Sequence, residues 1–399
     1  LPKKMLIALL SLALIMSAFS AMPVTAAPQP TYIVIQITVN TTGGVNRLFS
    51  LTLDDTLVQV VNPLYTVSSS TTAMFTTGES FTGSVSGDLS GTISSGAFNT
   101  IWVDVTATSM RGLTTGHAEY SDSTGTFSLI MVLDVDAQLS DENIVGASLK
   151  GYAFSRSSGG GYADKLLIIK LEGSLTGPNE WKFNGRGWIF DEVECQLESF
   201  SVSGSRADNL GETRLVSLSS GDVVMQFTTS DITLGADADA EFTTKQRLTG
   251  TSTGALAGSF ELDSNAFIIT SGTYAGRGYS VARFAFTNPD GTVDGFLILD
   301  NSYYGVHNGY IVGVSGTGAF INKIFLGEFR GSFTNPPEYY DYEGTASVYA
   351  CSIPPPVGGV ILDSNVKVTS TSIVAPPWAY ASLIAILITI TALILRRLK

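Results

Sequence analysis

At 399 residues the chain is long enough for two or three domains of roughly 100–200 residues each. Its 22 Lys+Arg against 35 Asp+Glu leave a net charge of −13, an acidic surface that repels phosphate backbones and excludes nucleic acid as an expected partner. With 41 Gly, 21 Phe, 15 Tyr and only 2 Cys, the composition suits short strands and tight turns and rules out a disulfide framework.

The chain opens with Lys3 and Lys4, then an apolar run from Met5 to Phe19, then small residues and a proline through Val24-Thr25-Ala26-Ala27-Pro28. A basic start, an apolar stretch and a small-residue exit are the parts of a secretory signal peptide. Residues 1–26 are therefore expected to be removed, with the mature chain starting near Ala27.

The body repeats itself. Thr82-Gly83-Ser84-Val85-Ser86-Gly87-Asp88-Leu89-Ser90-Gly91 is echoed 167 residues later by Thr249-Gly250-Thr251-Ser252-Thr253-Gly254-Ala255-Leu256-Ala257-Gly258. Arg111-Gly112 returns as Arg277-Gly278, and Leu133-Asp134 returns as Leu299-Asp300, both at an offset of 166. Ile144-Val145-Gly146 is matched by Ile311-Val312-Gly313, and Gly173-Ser174-Leu175-Thr176 by Gly331-Ser332-Phe333-Thr334 at an offset of 158. Ordered matches at nearly constant spacing are the signature of a tandem duplication. We assign β domain 1 to residues 27–205 and β domain 2 to residues 206–353.

Both units alternate apolar and polar residues. Ile33, Ile35, Ile37 and Val39 share one strand face, as do Phe127, Leu129, Met131, Leu133 and Val135, and Val223, Met225 and Phe227 in the second copy. This period marks half-buried strands. Turn signals at Asn184-Gly185, Asn288-Pro289-Asp290-Gly291 and Asn308-Gly309 separate strands at the spacing of antiparallel sandwiches or barrels. The expected fold is all-β: two tandem duplicated antiparallel β-barrel or sandwich-like domains, with an elongated solenoid as the alternative. Gly83, Gly87 and Gly91 fall on one face, which predicts strong curvature or a close backbone approach there.

No catalytic constellation emerges. The two histidines, His117 and His307, have no histidine at their counterpart positions, and no nucleophile elbow sits in a strand-to-helix context. Asp134 and Asp300 match at strand ends, where an aspartate caps a turn. Glu180 and Glu338 match in equivalent turns, but one carboxylate per domain is not the pair that glycoside hydrolysis needs. No cofactor is expected. Calcium is the metal to consider, because Asp237, Asp239 and Glu241 alternate along a prospective strand and offer hard oxygen ligands. A solvated acidic edge explains the same residues. Trp181 and Trp188, with Tyr339 and Tyr340 as approximate counterparts, are candidate ligand-stacking residues, since aromatic rings offer an apolar face and a polar handle; core packing is the competing role. Asn40-Thr41-Thr42 is an N-glycosylation acceptor at Asn40.

Cys195 and Cys351 close what read as equivalent last strands. In an oxidising compartment they are expected to form one disulfide clamping the two units. Residues 354–377, with Pro354-Pro355-Pro356, form a short spacer. Residues 378–395, Trp378 to Leu395, carry no charge over 18 residues, about 27 Å of helix and close to the hydrocarbon thickness of a bilayer. Arg396, Arg397 and Lys399 in the 396–399 tail place the C-terminus in the cytoplasm. A single transmembrane helix is thus expected, with the body outside the cell membrane.

The last two dozen residues or so resemble the tripartite sorting signals of exosortase and archaeosortase substrates, which combine a short motif, an apolar span and a basic end. Where those families carry Pro-Glu-Pro or Pro-Gly-Phe, this chain has Pro376-Pro377-Trp378, so a retained helix is expected in place of enzymatic processing. The general layout is similar to archaeal surface proteins with a C-terminal anchor. The expected function is non-enzymatic: a membrane-anchored surface protein with a structural or adhesive role, its partners being other envelope proteins or glycans. An extracellular carbohydrate-binding protein is the first alternative, and a cryptic extracellular hydrolase the second.

Overall fold

The computed structural model describes residues 29–105, 108–140, 143–206, 211–302, 305–334 and 341–354. The expected signal peptide, the spacer beyond Pro354, the transmembrane segment and the basic tail lie outside these residues, as do Tyr339 and Tyr340. Among the described residues no helix is long and apolar enough to cross a membrane.

The first half contains β1 (Thr31–Leu51), β2 (Thr56–Leu57), β3 (Tyr65–Thr66), β4 (Thr71–Gly87), β5 (Gly91–Val105) and β6 (Ser109–Ser121). It continues with β7 (Gly125–Ser140), β8 (Asn143–Gly160), β9 (Lys165–Leu175) and β10 (Glu180–Asp191). Strands β4 to β10 form an antiparallel meander, and β1 pairs with both β10 and β4, closing an eight-stranded barrel. Closure removes the sheet edges that would otherwise be open to pairing with other chains.

The second half contains β11 (Gln196–Arg206), β12 (Thr213–Leu218), β13 (Val223–Val224), β14 (Ile232–Thr233), β15 (Ala238–Gly254) and β16 (Gly258–Ile269). It ends with β17 (Gly278–Asn288), β18 (Gly291–Ser302), β19 (Val306–Gly316), β20 (Lys323–Thr334) and β21 (Asp341–Ser352). Here β11 pairs with β21 on one side and with β15 on the other, so this sheet also returns to its first strand. β12 pairs with the first half of β15. Together β11 and β12 do what the single long β1 does in the first barrel.

Matched registers make the duplication residue by residue. Arg47↔Phe75 in β1–β4 corresponds to Arg214↔Phe242 in β12–β15, and Gly151↔Leu171 in β8–β9 to Gly309↔Phe329 in β19–β20. One sequence match is not an equivalence. Ile144 lies at the start of β8, whereas Ile311 sits mid-strand in β19 opposite Leu297, the counterpart of Ala153 opposite Met131. The segment Gln196–Ser205, read from sequence as the end of the first unit, belongs to the second sheet, because its hydrogen bonds go to β21 and β15.

Each barrel has its own core. Ile33, Ile35, Val85, Phe127, Leu133 and Ile169 point into the first, and Phe200, Phe260, Phe284, Phe286, Phe325 and Phe329 into the second. Strands expected to be half-buried are buried on both faces where the barrels meet. Ile130 and Val132 alternate with the inward residues of β7 and are 0% exposed. Rings from the two halves pack together: Phe75 on Phe267 at 4.1 Å, Phe49 on Phe242 at 5.6 Å, and Tyr152 on Phe296 at 5.5 Å.

The loops β1–β4 and β12–β15 are exchanged between the barrels. Arg47 reaches Asp222 of the second half at 2.7 Å, and its counterpart Arg214 reaches Asp55 of the first at 2.9 Å. The Asn265 side chain both accepts from and donates to the backbone of Val58. Its counterpart Asn99 accepts from Met225 N–H and donates to the Val223 carbonyl. Asp134 accepts the N–H groups of Val60, Val61 and Asn62, and Asp300 those of Phe227 and Thr228. These matched aspartates therefore hold the backbone of remote loops and do not cap turns of their own strands, Asp134 lying inside β7. Burial pushes the Asp134 carboxyl up to about 6, against the pull of its three donors.

The disulfide forms between Cys195 and Cys351, with Cα atoms 4.4 Å apart. It does not clamp equivalent positions of the two units. Cys195 immediately precedes β11 and Cys351 lies on β21, and these strands pair with Gln196 opposite Ala350. The bridge staples the two ends of the second barrel. Matching Gln196↔Ala350 to Thr31↔Ile189 shows that the corresponding positions of the first barrel hold Pro30 and Phe190.

Candidate functional site: the interior of the first barrel

The two interiors differ. The first barrel encloses a cavity of about 260 Å³, just below the range of roughly 300–1,000 Å³ usual for small-molecule sites. Its walls are mostly apolar and include Phe81, Phe98, Trp102, Trp181 and Phe183, with Met74, Met110 and Met131. Unbranched methionines adapt to irregular shapes.

The two barrels place their large inward side chains at different matched positions. Ile93 opposite Gly83 is matched by Phe260 opposite Gly250, and Leu171 by Phe329. Ala118, opposite Gly96, corresponds to Phe284, opposite Leu262. At these three places the second barrel has a phenyl ring where the first has a smaller side chain. The exchange runs the other way at Phe81, Phe98, Phe127 and Phe183, whose counterparts are Leu248, Ser264, Val293 and Gly344.

Backbone conformation opens one end. Gly43 and Gly44 have φ of +79° and +97°, a region that residues with a Cβ rarely enter. The double turn breaks strand alternation, so that Thr41, Gly43, Gly44 and Asn46 all line the cavity. A Cβ on Gly83 would lie 2.3 Å from the Thr38 carbonyl oxygen, the close approach that the glycine run predicted. Gly43, Gly44 and Asn46 are exposed, as is Ile144 at 37%, and they mark the mouth.

Most polar groups of the wall are already engaged. Trp102 Nε1 donates to Thr76 Oγ1 at 3.0 Å, and Thr76 donates in turn to Asn46 Oδ1 at 2.9 Å. The Thr100 and Thr114 hydroxyls share a hydrogen bond at 2.9 Å. Glu79 is the one ionisable residue of the described lining. It sits on β4 opposite Phe98 and beside Gly44, and its hydrogen-bond partner is the Thr41 hydroxyl. Burial pushes its carboxyl up to about 7, the Thr41 hydrogen bond pulling weakly the other way. An apolar chamber with a single carboxyl group near its mouth can hold a small apolar molecule and bond one polar group on it.

The residues singled out from sequence are dispersed. Trp181 lines the cavity. Trp188 lies seven positions on along β10, on the opposite face, packed against Tyr32 at 5.0 Å and 9% exposed, so the two do not form one stacking platform. The counterpart of Trp181 is Tyr342, which is buried in the second core beside Phe333 and His307. Asp239 and Glu241 lie on β15, and Asp237 precedes it, accepting from Ser220 N–H at 3.0 Å. No group of three or more His, Cys, Asp or Glu among the described residues is placed to hold a metal ion, so these three do not converge on one. Asn40 is exposed on β1. His117 pairs across the barrels with Asp231 at 2.8 Å. His307 is buried, with no partner at Nδ1, and burial pushes it down to about 4. Sequence reasoning missed Glu79 and the cavity.

No protein-family model matches the sequence, and no curated protein matches it either. Among solved structures, a deltaS2 mutant of the TodX monoaromatic hydrocarbon channel aligns at 10% identity over 81% of this chain and 89% of that one. Its TM-score of 0.12 is too low to carry any argument about fold or function.

Proposed function

We propose that this chain is a non-enzymatic, membrane-anchored surface protein whose first barrel binds a small apolar molecule while its second barrel serves as a filled support. The observation that carries the reading is a cavity of about 260 Å³ in one copy of a duplicated barrel, beside a copy whose interior is packed with phenyl rings. The outward location and the anchor rest on the sequence of the two ends. Within this reading, an envelope role is one of binding as well as building. Sugar stacking is less well supported, because Trp181 and Trp188 face opposite ways.

The test uses the full chain in lipid nanodiscs, with empty nanodiscs as the partition control. Naphthalene is titrated while the fluorescence of Trp102 and Trp181, both in the wall, is followed. Saturable quenching is expected from the wild type. It is expected to disappear in Leu171→Phe, which puts the ring of Phe329 into the hollow barrel. Wild-type signals no different from those of empty nanodiscs would end the proposal.

A further inference from the structure

The geometry points to a small organic cation, an alkyl- or aryl-ammonium ion, as the ligand of this cavity, held with its charged head on the Glu79 carboxylate and its apolar part against the aromatic wall. The inference rests on the cavity reading above and names the chemical class it selects.

Three observations support it. First, the lining carries one acidic side chain and no basic one, so a cationic head finds a partner where a carboxylate head finds repulsion. Second, five aromatic residues, Phe81, Phe98, Trp102, Trp181 and Phe183, line the same chamber. Aromatic faces attract cations, most strongly where water is excluded, and aromatic walls recur in ammonium-binding sites. Third, the other polar wall groups are bonded to one another, which leaves the Glu79 oxygens with acceptor capacity to spare.

Charged groups on neighbouring strands do not compete. Arg47 on β1 alternates away from the cavity and is held by Asp222 at 2.7 Å. Arg111 on β6 pairs with Asp136 of β7 at 3.3 Å, and Lys182 on β10 with Glu180 at 3.4 Å. Asp134, Lys150 and Lys170 sit next to the lining residues Leu133, Leu149 and Leu171 and so take the other face of β7, β8 and β9. No described residue of β5 with a placed side chain is ionisable.

The electrostatics fix a pH dependence. With the cavity free, burial lifts the Glu79 carboxyl to about 7, so the proton leaves easily only above that value. A bound ammonium stabilises the carboxylate, and binding releases the proton to solvent. Affinity for a cation must therefore fall as pH drops below about 7, while a neutral ligand of equal size is little affected.

The experiment compares hexylammonium, hexanol and hexanoate by calorimetry on the full chain in nanodiscs, with Leu171→Phe as the blocked reference. At pH 8 hexylammonium is expected to bind tightest and hexanoate weakest. Between pH 8 and pH 5 hexylammonium is expected to lose roughly tenfold or more in affinity, with hexanol nearly constant. Glu79→Gln is expected to bind hexylammonium no better than hexanol. The wild-type pH series decides the matter even where that variant folds poorly. Equal binding of hexanol and hexylammonium at pH 8, or tighter binding of hexanoate, overturns the inference and leaves the cavity reading standing. Binding of none of the three overturns both.

Discussion

The two barrels share matched registers and a reciprocal set of loop contacts, yet the apolar cavity lies in the first, while phenyl rings crowd the core of the second. Matched registers therefore do not dictate the interior. What differs is where the large side chains stand: Ile93, Ala118 and Leu171 lie where the second barrel has Phe260, Phe284 and Phe329, and Phe81, Phe98 and Phe183 lie where it has Leu248, Ser264 and Gly344. The comparison also locates the support. The disulfide and the cluster of His307, Phe333 and Tyr342 belong to the second copy, whereas the open mouth and Glu79 belong to the first.

The largest expected effect tests whether the barrels behave as one cooperative body. Replacing Cys195 and Cys351 by serine removes a link across 156 residues, worth about 5 kcal/mol on the chain-entropy account. The described tryptophans, Trp102, Trp181 and Trp188, lie in the first barrel. With Trp378, the fourth tryptophan, replaced by phenylalanine, urea unfolding followed by tryptophan fluorescence reports that barrel, and far-ultraviolet circular dichroism reports both. Because loops and rings interlock across the interface, both signals are expected to shift together. Separate transitions would show that the staple serves the second barrel alone.

Next comes the symmetry of the exchanged loops. The Asp55 and Asp222 side chains are 0% and 2% exposed and face Arg214 and Arg47. Removing one partner of a buried pair typically costs about 3–5 kcal/mol. Asp55→Ala and Asp222→Ala are each expected to lose an amount in that range in denaturant titrations, and similar amounts. A large inequality would break the equivalence of the two loops.

The smallest effect sharpens the contrast between the cores. His307 occupies the position that Leu149 holds in the first barrel. Its folded value is pushed below the ordinary 6.5 to about 4, so its contribution to stability is complete above about 6.5 and is lost as pH falls toward 4. His307→Leu is expected to remove this loss. The gap between wild type and variant should open by about 3 kcal/mol from pH 7 to pH 4. Parallel pH curves would show that His307 carries no such liability.

Much of this architecture is legible in the sequence. Alternation at Ile33 to Val39 and Phe127 to Val135 predicts the strands, and ordered matches such as Leu133-Asp134 with Leu299-Asp300 predict the duplication. The sequence also pairs the two cysteines, though it misplaces their role, because Cys195 precedes a first strand and does not end a last one. Strand pairing across β11 and β21 is a long-range property that no local pattern records. The cavity is harder still. It depends on which residues from many strands face one another, and the placement becomes visible only when registers set Leu171 against Phe329 and Phe183 against Gly344. Glu79 gives no signal in Thr77-Gly78-Glu79-Ser80, where it reads as an ordinary solvent-facing residue. The Gly43-Gly44 turn that brings the mouth beside it acts from the neighbouring strand.

The reciprocal loop exchange has an evolutionary consequence. Arg47 with Asp222 and Arg214 with Asp55 have the reciprocal pattern that a twofold homodimer would have, in which each subunit completes the other. In such a dimer every substitution falls twice, so a ring that fills one interior fills both. Joining the subunits into one chain frees the two copies to diverge. One can then collect phenyl rings and a staple and take over the burden of stability, while the other keeps an empty chamber and a buried carboxyl group, features that cost stability and that a symmetric ancestor would have had to tolerate in duplicate.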